Sequence, residues 1–188
     1  MESQKRMITS LLQLYDLDRK TNGSSKRWVT EEEGQIISDI VRDAGAMGYY
    51  ESGTANGISA CWAAVQDRHI EIHTFDPINR VKIWDYDNTD LSDLTPNIHF
   101  HQERFSDGLE RVYTPNQKSI FFLDGDHSGE GVKEDWEAVE KVMSPGDTVI
   151  FHDLNIEAIH RFWLRRVMPK YNCETLATRR IMAVVHIA

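Results

Sequence analysis

Acidic and histidine side chains are concentrated directly after two apolar segments of the chain. The apolar run 119–123 is followed by Asp124, Gly125, Asp126, His127 and Ser128, and the run 148–151 is followed by His152, Asp153, Leu154 and Asn155. A folding core would not select so many ionisable groups, because burying a charge is costly unless it is paired. Carboxylate, amide and imidazole donors without a thiolate suit Mg²⁺ or Mn²⁺ better than zinc. Taken singly, Asp126 and Asn155 are equally well explained as helix caps or polar loop residues.

A turn with two glycines follows the segment 49–51. Gly53 and Gly57 allow a sharp backbone turn and a close approach to a ligand, and the helix predicted after them offers free N–H groups. A dinucleotide fingerprint would need further glycines where Ala55 and Ile58 stand, so the spacing disfavours NAD. The plain alternative is a strand-to-helix turn without a ligand.

Asp76 follows the next apolar run, about twenty residues beyond the glycine turn, which is where nucleoside-binding sheets place a ribose-binding carboxylate. The alternative is that Asp76 caps the turn before Pro77. Together with the glycine turn, Asp76 favours a nucleoside-containing ligand.

These residues require a sheet that brings the ends of several strands together. The strand candidates are 49–51, 70–75, 98–101, 119–123, 148–151 and 181–187, and the intervening helix candidates are 58–66, 81–84, 107–112, 131–142 and 156–168. This alternation predicts an α/β, doubly wound fold with helices on both faces of a largely parallel sheet. Upstream, the spacing predicts a helix within 1–20 and a second helix that opens at Thr30, with Glu33 three residues on, and ends at Gly45. We expect one domain over 1–188, with a helical cap (1–45) and a Rossmann-like core (46–188).

Composition excludes several classes of protein. The chain has 188 residues, of which 40% are apolar, and a formal charge of −9, which makes nucleic acid an unlikely partner. The apolar runs are too short to cross a bilayer and no signal peptide is recognisable, so we expect no membrane association and a cytoplasmic location. Cys61 and Cys173 have no metal-site or redox spacing and are expected to be reduced.

Four motifs in order resemble the class I S-adenosylmethionine-dependent methyltransferases. They are Glu51-x-Gly53-Thr54-x-x-Gly57-x-Ser59, then Thr74-Phe75-Asp76-Pro77, then Leu123-Asp124-Gly125-Asp126-His127-Ser128, and then Ser144-Pro145-Gly146-Asp147 leading to Val149-Ile150-Phe151-His152-Asp153. The chain is most similar to the small O-methyltransferase-like branch with the aspartate-glycine-aspartate-histidine-serine loop (methyltransferase domain family 24). The resemblance implies a seven-stranded sheet of order 3-2-1-4-5-7-6 whose last strand is antiparallel.

The resemblance also implies a site for S-adenosylmethionine. Its predicted residues are Glu51, Gly53, Thr54, Gly57, Ser59, Asp76, Ile78, Ser106 and Asp124. Gly53 and Gly57 would pass under the methionine part, Asp76 would hold the ribose, and Ile78 and Ser106 would lie at the adenine.

The metal-dependent members of the group imply further roles after the fourth and fifth strands. Asp124, His152 and Asp153 correspond to their metal ligands, although His152 stands where the sugar-modifying enzymes have an acid, which puts metal use in doubt or favours Mn²⁺ or Fe²⁺ over Mg²⁺. His127 stands where the catechol-type enzymes have a lysine base. Because an unperturbed imidazole pKa is about 6.5, we predict that His127 is the base and that Asp124 supports catalysis.

Several features stay open. Trp28, Trp84 and Tyr86 are interpreted as core residues or as the wall of an acceptor pocket, and His69, His73, His99 and His101 as surface or core polar groups rather than ligands. The expected partner is a small-molecule acceptor, and a homodimer is left open. Two alternatives to an O-methyltransferase remain: a non-catalytic or degenerate nucleoside-binding partner protein, and a metal-dependent tailoring hydroxylase.

Overall fold

A seven-stranded sheet lies between two layers of helices. The computed structural model describes residues 8–9, 11–13, 29–65, 69–78 and 95–188. The strands are β1 (Gly48–Ser52), β2 (Glu71–Phe75), β3 (Ile98–His101), β4 (Ser119–Leu123), β5 (Thr148–Phe151), β6 (Asn172–Leu176) and β7 (Met182–His186). The helices are α1 (Glu31–Ala44), α2 (Ile58–Ala64), α3 (Phe105–Val112), α4 (Gly129–Val142) and α5 (Glu157–Phe162), which continues as a π-helical segment (Trp163–Val167), and a 3₁₀ turn (Thr95–Asn97) precedes β3.

The strand order is β3-β2-β1-β4-β5-β7-β6. The first five of these strands pair in parallel, and β7 runs antiparallel to both β5 and β6. The predicted fold class and order are therefore confirmed. The carboxyl ends of β1, β2, β4 and β5 meet at one edge, which is where ligands bind in open α/β sheets.

The central strands are buried on both faces because helices cover the sheet on both sides. Tyr49 and Tyr50 are adjacent in β1, and their fully buried side chains join different clusters of the core. One cluster packs against α1 and α2, and the other packs against α3, α4 and α5. This two-sided burial explains why the strands read as continuous apolar runs.

Helix α1 is fixed at both ends and along its length. Thr30 and Glu33 form the predicted capping box, and Gly45 ends the helix in a left-handed conformation with φ +59°. A Cβ at Gly34 would lie 2.3 Å from the indole Nε1 of Trp62 on α2. The absence of a side chain at Gly34 therefore allows α1 and α2 to pack closely.

Part of the predicted N-terminal region lies outside the described residues. Residues 8–9 and 11–13 are helical, as predicted. The predicted helix at 81–84 and the aromatic residues Trp28, Trp84 and Tyr86 lie outside the described ranges, and the division into cap and core stays a prediction. None of the helices described here has the length and apolarity that a membrane span needs.

Candidate active site

A cavity of about 410 Å³ lies at the carboxyl edge of the sheet. This volume is within the range of small-molecule sites. The predicted cofactor residues Gly53, Asp76, Ile78 and Ser106 all contribute to its wall. The remaining lining residues are Ser52, Phe75, Pro77, Arg104, Phe105, Gly125, Asp126, Gly131, Glu134 and Asp135.

The glycine turn brings two loops into backbone contact. Gly53 has φ +92° and Gly57 has φ +79°, conformations that favour glycine. A Cβ at Gly53 would lie 2.2 Å from the carbonyl oxygen of Asp124, so the turn packs directly on the loop that follows β4. The sequence suggested that Gly53 is needed for close approach to a ligand. The structure shows a second requirement, because the loops after β1 and β4 could not come into contact if position 53 carried a side chain.

Asp76 connects the glycine turn to the loop after β2. Its carboxylate accepts hydrogen bonds from the backbone N–H of Ala55 (3.1 Å) and of Ile78 (2.8 Å). Asp76 therefore caps the turn that contains Pro77, as the alternative interpretation predicted. Two carboxylate oxygens offer about four acceptor positions, so capacity for ribose hydroxyls remains in this partly exposed group.

Glu51 is a fully buried carboxyl group with one unsatisfied oxygen. Its Oε1 accepts a hydrogen bond from the Ser59 hydroxyl, whereas Oε2 has no hydrogen-bond partner. Burial raises the pKa of Glu51 from 4.5 to about 8. Nearby, the hydroxyls of Thr54 and Thr74 are 2.6 Å apart. An unpaired buried carboxyl group destabilises a fold, and such groups are typical of sites that receive a ligand.

Glu51→Gln is expected to stabilise the protein at alkaline pH. Because the carboxyl pKa is raised from 4.5 to about 8 by folding, stability is highest below 4.5 and decreases as the pH rises through about 8. Glutamine has a similar shape and no charge, so we expect a gain of about 2 kcal/mol at pH 9, or roughly 4–8 °C in Tm. Thermal melts at pH 4 and pH 9 measure the effect. A gain that is equal at both pH values would contradict this account.

The loops after β4 and β5 bring Asp124, His152 and Asp153 together, as predicted. The ring Nδ1 of buried His152 is 2.9 Å from Asp124 Oδ1 and 3.6 Å from Asp153 Oδ2. Asp153 adopts φ +57°, a left-handed conformation that aspartate tolerates better than most residues. One ligand atom from each of the three side chains lies within 4.8 Å of those from the other two.

Glu33 is a fourth member of this cluster that the sequence did not predict. It is fully buried, and its Oε2 is 3.5 Å from His152 Nε2. Its two oxygens also accept hydrogen bonds from the backbone N–H of Thr30 (2.7 Å) and of Arg180 (3.0 Å). The capping-box spacing predicted only the local contact with Thr30. Helix α1 is thus connected to the chemistry at the sheet edge.

His127 and Arg180 supply further positive charge to the cluster. His127 Nε2 is 3.0 Å from Asp153 Oδ2 and 3.3 Å from Asp124 Oδ1, and Arg180 Nη1 is 3.7 Å from Asp153 Oδ2. Hydrogen bonds to Asp124 and Asp153 raise the pKa of His127 from 6.5 to about 9. An ordinary imidazole pKa therefore does not describe His127, and to act as a base its ring must first lose the proton that Asp124 and Asp153 stabilise.

Residues 50–154 match a family model described as a methyltransferase domain. The chain belongs to this family. Its predicted family and enzyme class, a methyltransferase, are thereby confirmed. No curated protein matches the chain.

Solved structures show the same fold as this methyltransferase at low sequence identity. An O-methyltransferase from Bacillus cereus, solved with S-adenosylhomocysteine, is 17% identical, with a TM-score of 0.69 over 96% of this chain and 90% of that one. The O-methyltransferase TomG from Streptomyces achromogenes, solved with S-adenosylmethionine, is 14% identical, with a TM-score of 0.71 over 95% and 90%. The S-adenosylhomocysteine-bound methyltransferase PaMTH1 from Podospora anserina is 12% identical, with a TM-score of 0.75 over 95% and 87%.

The cluster of this methyltransferase fits a divalent cation. Asp124, His152 and Asp153 offer oxygen and imidazole donors that already converge. Glu33 faces the other nitrogen of His152, and a carboxylate in that position commonly orients a metal-bound histidine. Asp124 and the neighbouring carboxylates hold the pKa of His152 well above its ordinary value despite burial, so a bound ion would have to replace a proton on Nδ1.

Proposed function

We propose that this methyltransferase transfers the methyl group of S-adenosylmethionine to a hydroxyl oxygen of a small-molecule or sugar-like acceptor. The observation that carries the proposal is the direct contact between the cavity and the acid–histidine cluster, which consists of Glu33, Asp124, His127, His152 and Asp153. Gly53 lines the cavity, and its backbone packs on Asp124, whose carboxylate belongs to the cluster. A methyl donor bound in the cavity would therefore place its reactive methyl group next to side chains that can donate or accept a proton.

The wall of the cavity suits an adenosine group. Ile78 is 52% exposed although it is large and apolar, and an adenine ring would cover it. Asp76 would accept hydrogen bonds from the ribose hydroxyls, and Ser106 would lie near the adenine edge.

A second, water-sized cavity lies beside the first, on the side of the glycine turn where the amino-acid end of the cofactor would lie. It has a volume of about 20 Å³, shares Gly53 with the first cavity and is lined by Thr54, Ser59 and Asp124. Buried Glu51 is hydrogen-bonded to Ser59 of this lining, so a small shift of the turn would let its unpaired Oε2 accept from the cofactor's α-ammonium group.

The reaction is a displacement at the methyl carbon. A bond forms between the acceptor oxygen and the methyl group, the sulfur–methyl bond breaks, and S-adenosylhomocysteine leaves with the sulfur electron pair. The acceptor proton passes to Nδ1 of His127 when that ring is neutral, because Asp124 and Asp153 hold the Nε2–H. Holding the two reactants side by side supplies much of the remaining rate enhancement.

Asp124, His152 and Asp153 would hold the divalent cation. When bound, a cation such as Mn²⁺ would lower the pKa of the acceptor hydroxyl. Glu33 orients His152 for this role, and Arg180 keeps part of the negative charge of Asp153 neutralised.

Asp76→Ala is expected to weaken the binding of S-adenosylmethionine by roughly 10–100-fold, because two hydrogen bonds to a charged acceptor are lost. Calorimetric titration with S-adenosylmethionine and S-adenosylhomocysteine measures this loss, first with EDTA and then with Mn²⁺. Asp43→Ala, at an exposed aspartate in the last turn of α1, is the matched control. Asp76→Asn keeps one of the two acceptor oxygens, so comparing its melting temperature and cofactor affinity with those of Asp76→Ala separates loop stability from ribose binding.

The same preparation decides between the proposal and its alternatives. Release of S-adenosylhomocysteine is measured with a panel of catechols, phenols and free sugars. Cofactor binding with no turnover on any hydroxyl acceptor would favour the nucleoside-binding partner protein. No binding of either cofactor form to the wild type would contradict the proposed function.

A further inference from the structure

A second cluster of ionisable side chains lies on β2 and β3, apart from the acid–histidine cluster. It consists of Glu71, His73, His99 and His101, which we call the histidine cluster. In the sheet register, His73 lies opposite His99 and Phe75 lies opposite His101. Because residues two apart on a strand share a face, all four members project from the same side of the sheet. The proposed methyl transfer uses none of them.

The four side chains already contact one another in pairs. His99 Nε2 is 2.9 Å from Glu71 Oε2, and His73 Nδ1 is 3.0 Å from His101 Nε2. Ligand atoms of Glu71, His73 and His99 all lie within 4.8 Å of one another. Glu71 and His99 are 58% and 45% exposed, so small side-chain rotations can bring the donors closer without moving the backbone.

Stacking fixes the orientation of the rings. The His73 ring stacks on buried Tyr50 at 5.5 Å and 8°, and on His99 at 4.9 Å and 24°. The His101 ring stacks on Phe75 at 4.5 Å. Since these contacts occupy ring faces, the nitrogen-bearing edges remain for polar partners. Stacking on Tyr50 and Phe75, stacking among the rings and the Glu71–His99 pair together order the cluster.

The charges of the histidine cluster suit a cation. His73 and His101 are partly buried against aromatic rings, an environment that favours the uncharged imidazole. Neutral imidazole is the form that binds metal ions. Glu71 adds one negative charge, and the neighbouring Arg111 is paired with Glu103.

We propose that Glu71, His73 and His99, whose ligand atoms already lie within 4.8 Å of one another, bind a borderline transition-metal ion of the Zn²⁺ class, with His101 beside His73 as a fourth donor after small side-chain rotations. Imidazole and carboxylate are typical zinc donors, and four donors complete the tetrahedral coordination of zinc. Strand β3 is the outermost strand in the sheet order. A bound ion would join it to β2 by side-chain bonds in addition to the backbone ladder. This site is independent of the proposed function.

The test is a titration of untagged, chelator-treated protein with Zn²⁺ alone. We expect His99→Gln and Glu71→Gln to weaken binding at this site by roughly tenfold or more, and to abolish its zinc-dependent rise in Tm. His186→Gln is the matched control, because His186 forms an exposed pair with Glu174, at 3.8 Å, near the opposite edge of the sheet. Absorption of the Co²⁺-substituted protein would report imidazole coordination directly.

The variant Asp153→Asn separates this site from the acid–histidine cluster. Zinc binding that survives Asp153→Asn and is weakened by His99→Gln supports the proposal. Zinc affinity that His99→Gln and Glu71→Gln leave unchanged, or that Asp153→Asn alone abolishes, would overturn it.

Discussion

Replacing His127 by alanine is expected to lower turnover by roughly 10²–10⁴-fold, the range for loss of a general acid–base group. The affinity for S-adenosylmethionine should stay unchanged, because the ring contacts Asp124 and Asp153 and does not line the cofactor cavity. His127 is 43% exposed, so the fold should tolerate the change. Initial rates with the best hydroxyl acceptor of the panel measure turnover, and calorimetric titration with the cofactor measures its affinity.

Two further variants separate chemistry from structure at this position. Free imidazole should partly restore turnover to His127→Ala, whereas a purely structural role would show no such rescue. His160→Ala, which removes an exposed histidine from α5, should leave turnover unchanged. Wild-type turnover in His127→Ala would show that Nδ1 accepts no proton.

Glu33→Gln should cause the largest loss of stability among these variants. Burial alone would raise the pKa of Glu33, but the His152 ring 3.5 Å away and hydrogen bonds from the backbone N–H groups of Thr30 and Arg180 lower it from 4.5 to about 2. The charged group therefore contributes stability above pH 4.5, and this contribution is lost as the pH falls through about 2. Removing one partner of a buried charged pair costs about 3 kcal/mol, which is roughly 6–12 °C in Tm.

Glu32→Gln is the matched control, because Glu32 is exposed in the same first turn of α1. Thermal melts at neutral pH and calorimetric titration with Mn²⁺ test both roles of Glu33. If Glu33 also positions His152, Mn²⁺ affinity should fall by roughly 10–100-fold. Equal melting temperatures for Glu33→Gln and Glu32→Gln would contradict the buried pairing.

Site residues that come directly after a strand could be predicted from the sequence. Site residues that are brought in by contacts between segments far apart in the chain could not. Asp76, Asp124 and Asp153 each follow an apolar run, and a parallel sheet brings the ends of such runs to one edge. Glu33 has the spacing of a capping box, a local signal that contains no information about His152. The sequence could not show that a glutamate in α1 faces a histidine after β5.

Strand register and exposure explain two other differences. The alternation of His99 and His101 places them on one face, but only the pairing of β2 with β3 brings His73 next to them. The resemblance implied a seventh strand, but its position at β6 was not predicted, because Asn172, Glu174 and Thr175 are exposed and polar and form no apolar run.

The contact between Glu33 and Arg180 has a consequence for the order of folding. Their hydrogen bond joins residues 147 positions apart, so the chain loses loop entropy before this contact can form. Contacts of such separation slow folding. During refolding, the parallel strands should pair first and the acid–histidine cluster should close late. Cofactor binding would then return more slowly than the far-ultraviolet circular dichroism signal.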